Sequence, residues 1–91
     1  MANENGDDPV KVVMYCTDWC PFCIRAEKLL VSTGLPLERI NVEEQPDKRL
    51  EMIERTGRKT VPQIFIGDHH VGGHDDLVVY LQKEQSLQSI R

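Results

Sequence analysis

Cys20 and Cys23 flank Pro21 and Phe22, and the tetrapeptide lies between an apolar run and a run with helical periodicity. Two cysteines at this spacing can close a disulfide across one turn, or cycle between dithiol and disulfide at the start of a helix. The reactive species is the thiolate. A free cysteine has a pKa of about 8.5, and a helix N-terminus lowers it because the helix dipole favours negative charge there. Pro21 fits the first helical position, since its missing N–H would have no partner there anyway. That places Cys20 at the N-cap, with the N–H groups of Phe22 and Cys23 expected to point at its sulfur. Cys23 lies one turn further in and less exposed. The asymmetry assigns roles: Cys20 attacks, and Cys23 resolves by closing the disulfide.

The same pair can form half of a zinc site. Structural zinc needs four ligands, usually two such pairs or one pair with spaced histidines. The remaining candidates are Cys16, His69, His70 and His74, and none of them forms a second tight pair in the usual ligand register. Redox chemistry is the better reading, and no metal is expected.

The elements that must position the pair follow from hydrophobic periodicity. Val10–Tyr15 is rich in β-branched residues and reads as a buried strand. From Phe22 to about Thr33, Ala26, Leu29, Leu30 and Thr33 recur at helical spacing, and Gly34 is a natural stop. Leu35–Val42 predicts a second strand. Pro46–Thr56 predicts a helix with Leu50 and Ile53 facing inward and Gly57 as its end. Val61–Ile66 predicts a strand despite its proline. Gly67-Asp68 makes a turn, and His69–Gly72 pairs back as a hairpin. A last helix is expected from about His74 to Gln85, with Leu77, Val78 and Leu81 as its buried stripe.

The first half is thus a right-handed βαβ unit and the second a hairpin plus helix. Together they predict an α/β fold, a four-stranded mixed sheet flanked by three or more helices. A Cys-x-x-Cys beside such a pattern reads as a thioredoxin-like redox motif. Residues 10–91 are expected to form one domain. Residues 1–9, all polar or small after Met1, read as a disordered tail.

Ninety-one residues suffice for one compact domain. The balance of 11 basic and 15 acidic side chains leaves a net charge of −4, which argues against nucleic acid and anionic membrane as partners. No apolar run approaches the roughly 18 residues of a membrane span, and the N-terminus has no signal-peptide character. Three cysteines make an odd set, unlike a secreted disulfide scaffold. A reducing, cytoplasmic setting and a monomer are expected.

Three segments together resemble the glutaredoxin family. Cys20-Pro21-Phe22-Cys23 resembles its dithiol motif, Thr60-Val61-Pro62-Gln63-Ile64-Phe65-Ile66-Gly67 its second motif, and Gly72-Gly73-His74-Asp75-Asp76 its third. They occur in the family's order and spacing, and the small bacterial dithiol subgroup is the nearest in pattern. The resemblance implies a thioredoxin-like fold and a glutathione-dependent oxidoreductase that reduces protein–glutathione mixed disulfides and protein disulfides. Glutathione would be a co-substrate. It implies a cis bond before Pro62, which frees the backbone of Val61 to pair with an extended peptide such as glutathione. It also implies ligand contacts from Phe22, Thr60, Gly73, His74 and Asp75, with Asp75 taking the α-amine of the γ-glutamyl end. Asp76 reads as a helix-start carboxylate.

Thr17 departs from the pattern, because many dithiol members carry Lys or Arg there. Arg58 or Lys59, just before the second motif, is the candidate replacement. Trp19 is either a contact surface for substrate proteins or half-buried against the domain. Cys16 reads as a small buried hydrophobe. Two other classes are weighed: an iron–sulfur carrier, which the rigid Pro21 disfavours, and a thioredoxin proper, which Pro21-Phe22 and the Gly-Gly-x-Asp segment disfavour.

Overall fold

A computed structural model describes residues 11–90, with the side chains of residues 84–90 left out of the description. The expected N-terminal tail, and Val10 with it, lie outside the described residues. Seven elements follow in order: β1 (Val12–Cys16), α1 (Pro21–Ser32), β2 (Leu37–Asn41), α2 (Pro46–Thr56), β3 (Gln63–Ile66), β4 (His69–Gly72) and α3 (His74–Ile90). The four strands form one mixed sheet in the order β2-β1-β3-β4. β1 runs parallel to β2 and antiparallel to β3, and β3 pairs antiparallel with β4.

β1 is central because its side chains are apolar on both faces. Val12, Met14 and Cys16 pack on one side with Ala26 and Leu30 of α1, Ile64, and Leu77 of α3. Tyr15 packs on the other with Ile40, Val42, Phe65 and Met52 of α2. This two-residue alternation builds a three-layer sandwich, with α1 and α3 on one face and α2 on the other. It also brings the C-terminal end of β1, the start of α1 and the entry to β3 to one edge. Among the described residues, no helix is long and apolar enough to cross a membrane.

The sequence-based elements hold with five adjustments. β1 begins at Val12, with Lys11 outside it, and runs past Tyr15 to Cys16, which pairs with Asn41 of β2. Leu50 does not face inward: it is 65% exposed, and Met52 is the fully buried residue of α2. Residues two apart on a helix point about 200° apart, so a face carried by Met52, Ile53 and Thr56 must turn Leu50 to solvent. β2 is shorter at both ends than Leu35–Val42. β3 begins at Gln63 rather than Val61, because Pro62 has no N–H to give to a ladder. α3 continues to Ile90 instead of Gln85, consistent with a stretch free of Gly and Pro from His74 onward.

Candidate functional site

The cysteine pair sits at the start of α1, with Cys20 as N-cap in an extended conformation (φ −81°, ψ 120°) and Pro21 as the first helical residue. The first helical hydrogen bond runs from Ile24 N–H to the Cys20 carbonyl at 3.1 Å. Both cysteines are free thiols, Cys20 being 8% exposed and Cys23 2%. The expected cap from the N–H groups of Phe22 and Cys23 to the Cys20 sulfur is not formed. The Cys20 thiol instead points at the carbonyl of Val61, with Sγ 3.9 Å from the oxygen. A protonated thiol is a donor, so it turns to the nearest acceptor and away from N–H groups.

Cys23 is in a different environment. Burial pushes its thiol up to about 12, with the neighbouring Cys20 sulfur adding to the rise and the backbone of Thr17 opposing it. Burial also raises Cys16, the fully covered residue at the end of β1. In both, the folded protein holds its proton at pH values where the unfolded chain has lost it. The stability these two thiols contribute is therefore fully present below pH 9 and is lost as pH rises toward about 12. Thermal unfolding under reducing conditions across that window is expected to show a steep decline, and Cys23→Ser to be distinctly shallower. Parallel slopes for the two proteins would contradict the burial argument.

Beyond the Val61 carbonyl that faces Cys20 opens a groove of about 230 Å³ lined by Phe22, Arg58, Thr60, Val61, Pro62 and Gln63, and on its far side by residues 73–76. An open groove of that size admits a few residues of extended chain, not a folded protein. The Val61–Pro62 bond is cis, as the resemblance implied. Val61 N–H has no hydrogen-bond partner among the described residues, so the rim offers a backbone donor beside the carbonyl that faces Cys20. Phe22, half exposed, stands against the His74 ring at 5.8 Å and forms one wall. α3 starts at His74, and its first turn lines the groove from the other side.

The structure brings Phe22, Thr60, Val61, Pro62, Gly73, His74 and Asp75 together around one space. Asp75 keeps its carboxylate almost wholly in solvent, 3.2 Å from His74 Nδ1. Lys59 is the exception. It is exposed and does not line the groove, whereas Arg58 does, 3.5 Å from Asp76. Arg58 and Thr60 face inward and the residue between them faces out, the alternation of an extended segment. Asp76 has the helix-start role expected of it, accepting the Gly73 N–H at 3.0 Å. Gln63, only 1% exposed, was not singled out from sequence. A polar residue inside an apolar strand, directly after a motif proline, was the available signal. Trp19 is 67% exposed and donates from Nε1 to Glu43 at 2.9 Å, so it is not half-buried against the domain. The Thr17 hydroxyl is buried without a partner.

Among the described residues no group of three or more His, Cys, Asp or Glu could hold a metal ion. The four-stranded mixed sheet, its three helices and a dithiol at the start of α1 define a thioredoxin-like fold. Comparison with known proteins narrows this. The glutaredoxin family profile matches residues 12–71. A glutaredoxin of Pseudomonas aeruginosa is 50% identical over 66 residues, which cover 72% of this chain and 79% of the relative. The solution structure of glutaredoxin from Brucella melitensis superposes with a TM-score of 0.70 at 46% identity, covering 90% of this chain and 88% of that one. A buckwheat glutaredoxin–glutathione complex superposes at 0.74 with 26% identity, covering 87% and 74%. The chain belongs to the glutaredoxin family, and with it to the glutathione-dependent thiol oxidoreductases.

Proposed function

We propose that this protein reduces protein–glutathione mixed disulfides and protein disulfides, with Cys20 as nucleophile and Cys23 as resolving thiol. One observation carries the reading: the Cys20 sulfur lies 3.9 Å from the carbonyl of Val61, a residue that lines a peptide-sized groove. Glutathione docks as an added strand, its cysteine backbone pairing with Val61 N–H and C=O, next to Thr60 and Pro62. Arg58 receives the glycine carboxylate, and Lys59 adds charge to that rim from outside the groove. The N–H groups of the first turn of α3, from His74 and Asp75 rather than Gly73, hold the γ-glutamyl carboxylate. Asp75 takes the amine. Phe22 closes the wall beside the sulfur.

The chemistry is two successive displacements. Cys20 thiolate attacks the glutathione-side sulfur, forming a Cys20–glutathione disulfide as the protein–glutathione bond breaks and the protein thiolate leaves to be protonated. A second glutathione thiolate then attacks the glutathionyl sulfur, releasing glutathione disulfide and regenerating Cys20. A Cys23 thiol raised to about 12 is almost entirely protonated at neutral pH. Its proton must be lost before it can attack a mixed disulfide on Cys20. With a protein disulfide, Cys23 is held beside the mixed disulfide, closes the Cys20–Cys23 ring and expels the reduced protein thiolate; two glutathiones then restore the dithiol and leave as glutathione disulfide. The exposed Trp19 is a contact for the protein part of the substrate. A reducing, cytoplasmic setting and a monomer suit this chemistry.

The test is turnover of a glutathionylated peptide with reduced glutathione, compared with turnover driven by a thioredoxin reductase. Glutathione-driven turnover is expected, with little or none from the reductase. The reverse preference would sink the proposal.

A further inference from the structure

The rim that faces Cys20 belongs to no strand, since β3 begins only at Gln63. Thr60 is held from behind instead. The side chain of Gln63 folds back so that its amide nitrogen donates to the Thr60 carbonyl at 3.1 Å and to the Thr60 hydroxyl at 3.2 Å. Its amide oxygen lies 2.8 Å from His70 Nε2. The chemistry of these groups fixes every role. The Thr60 carbonyl can only accept, so the amide nitrogen faces it and the amide oxygen faces the imidazole. His70 must then donate from Nε2, so the neutral ring carries its proton there and leaves Nδ1 bare. Burial and the nearby Arg58 push His70 below its ordinary value, which keeps the ring neutral near pH 7.

His70 is itself fixed. Its ring stacks on Phe65 at 4.9 Å and 27°, and the Arg55 guanidinium covers Phe65 at 3.9 Å from the ring centre. Register places His70 opposite Phe65 across β3 and β4. Gln63 lies two residues from Phe65 and so on the same face of the sheet. His70 does not line the groove, yet its Nε2–H holds the Gln63 amide oxygen and so braces the amide that faces Thr60.

We propose that His70 and Gln63 are positioning residues, a two-part clamp that sets the Thr60–Val61 rim in the geometry that receives the glutathione backbone. The clamp governs affinity for the glutathionyl moiety and not the rate of sulfur exchange, because neither side chain bonds to Cys20. The inference rests on the groove being the glutathione site.

The experiment is a KM and kcat comparison on a glutathionylated peptide, joined to 15N chemical shifts of the His70 ring in the free protein. His70→Phe keeps the stack on Phe65 and removes the donor. Gln63→Glu keeps the shape but cannot donate to the Thr60 carbonyl. Each is expected to raise KM about tenfold, with kcat within about twofold, as loss of one buried hydrogen bond predicts. His70→Gln restores a donor and should recover most of the KM. The wild-type ring should show its proton on Nε2. An unmoved KM in His70→Phe and Gln63→Glu, or a ring protonated on Nδ1, removes the clamp and leaves the groove reading intact. A wild type without glutathione-driven turnover removes the groove reading and the clamp with it.

Discussion

Cys20→Ser is expected to lose turnover of a glutathionylated peptide by about a thousandfold or more, while Cys23→Ser keeps most of it. The difference follows from placement. Cys20 keeps 8% exposure and borders the groove through the Val61 carbonyl, whereas Cys23, 2% exposed, is sealed among Cys16, Ala26 and Leu30. A serine hydroxyl at position 20 has no accessible oxyanion near neutral pH, so no displacement occurs. With a protein disulfide as substrate the ranking changes. Cys23→Ser can form the mixed disulfide but cannot close the ring, so turnover there should also collapse. Steady-state assays of both variants on both substrate types check this. Equal losses in the two variants on the glutathionylated peptide would contradict the assignment of roles.

Gly72→Ala is expected to destabilise the protein by about 2–4 kcal/mol, and Gly73→Ala by less than about 0.5 kcal/mol. Gly72 has φ +116°, in the region that favours glycine, and a Cβ there would lie 2.8 Å from Asp76 Cγ and 2.9 Å from its Cβ. Asp76 cannot withdraw without giving up the Gly73 N–H it accepts, and its Cβ moves only with the first turn of α3. Gly73 has no such conformation. A Cβ on it would meet the Pro62 carbonyl at an ordinary 3.5 Å. That Cβ would intrude on the groove, so Gly73→Ala should weaken substrate binding while leaving the melting temperature nearly unchanged. Chemical denaturation of the two variants separates the effects, and comparable losses of stability would contradict the account.

The cysteine pair, the order of elements and the division of β1 between two packed faces were all legible in the sequence, because each depends on local pattern. Cys-Pro-Phe-Cys fixes its own place at a helix start through Pro21. Alternation in Val12–Cys16 fixes two apolar faces. What was illegible depends on rotation and on contacts between distant residues. Leu50 and Met52 are both apolar candidates for the buried face of α2, and only packing against Tyr15 and Phe65 selects Met52. Arg58 and Lys59 carry the same charge one residue apart, and the direction of an extended segment chooses Arg58. The turn of the Cys20 thiol toward Val61 joins residues 41 positions apart. The role of Gln63 requires His70 on the neighbouring strand, which periodicity alone does not couple to it.

The central claim is that Cys20 takes the glutathionyl group into the groove beside Val61. Intact-mass analysis of Cys23→Ser after exposure to a glutathionylated peptide, followed by mapping of the modified residue, tests it most directly. The account predicts one glutathionyl group, on Cys20, and release of the free peptide thiol. A peptide adduct on Cys20, or a glutathionyl group on Cys16 with Cys20 unmodified, would contradict it.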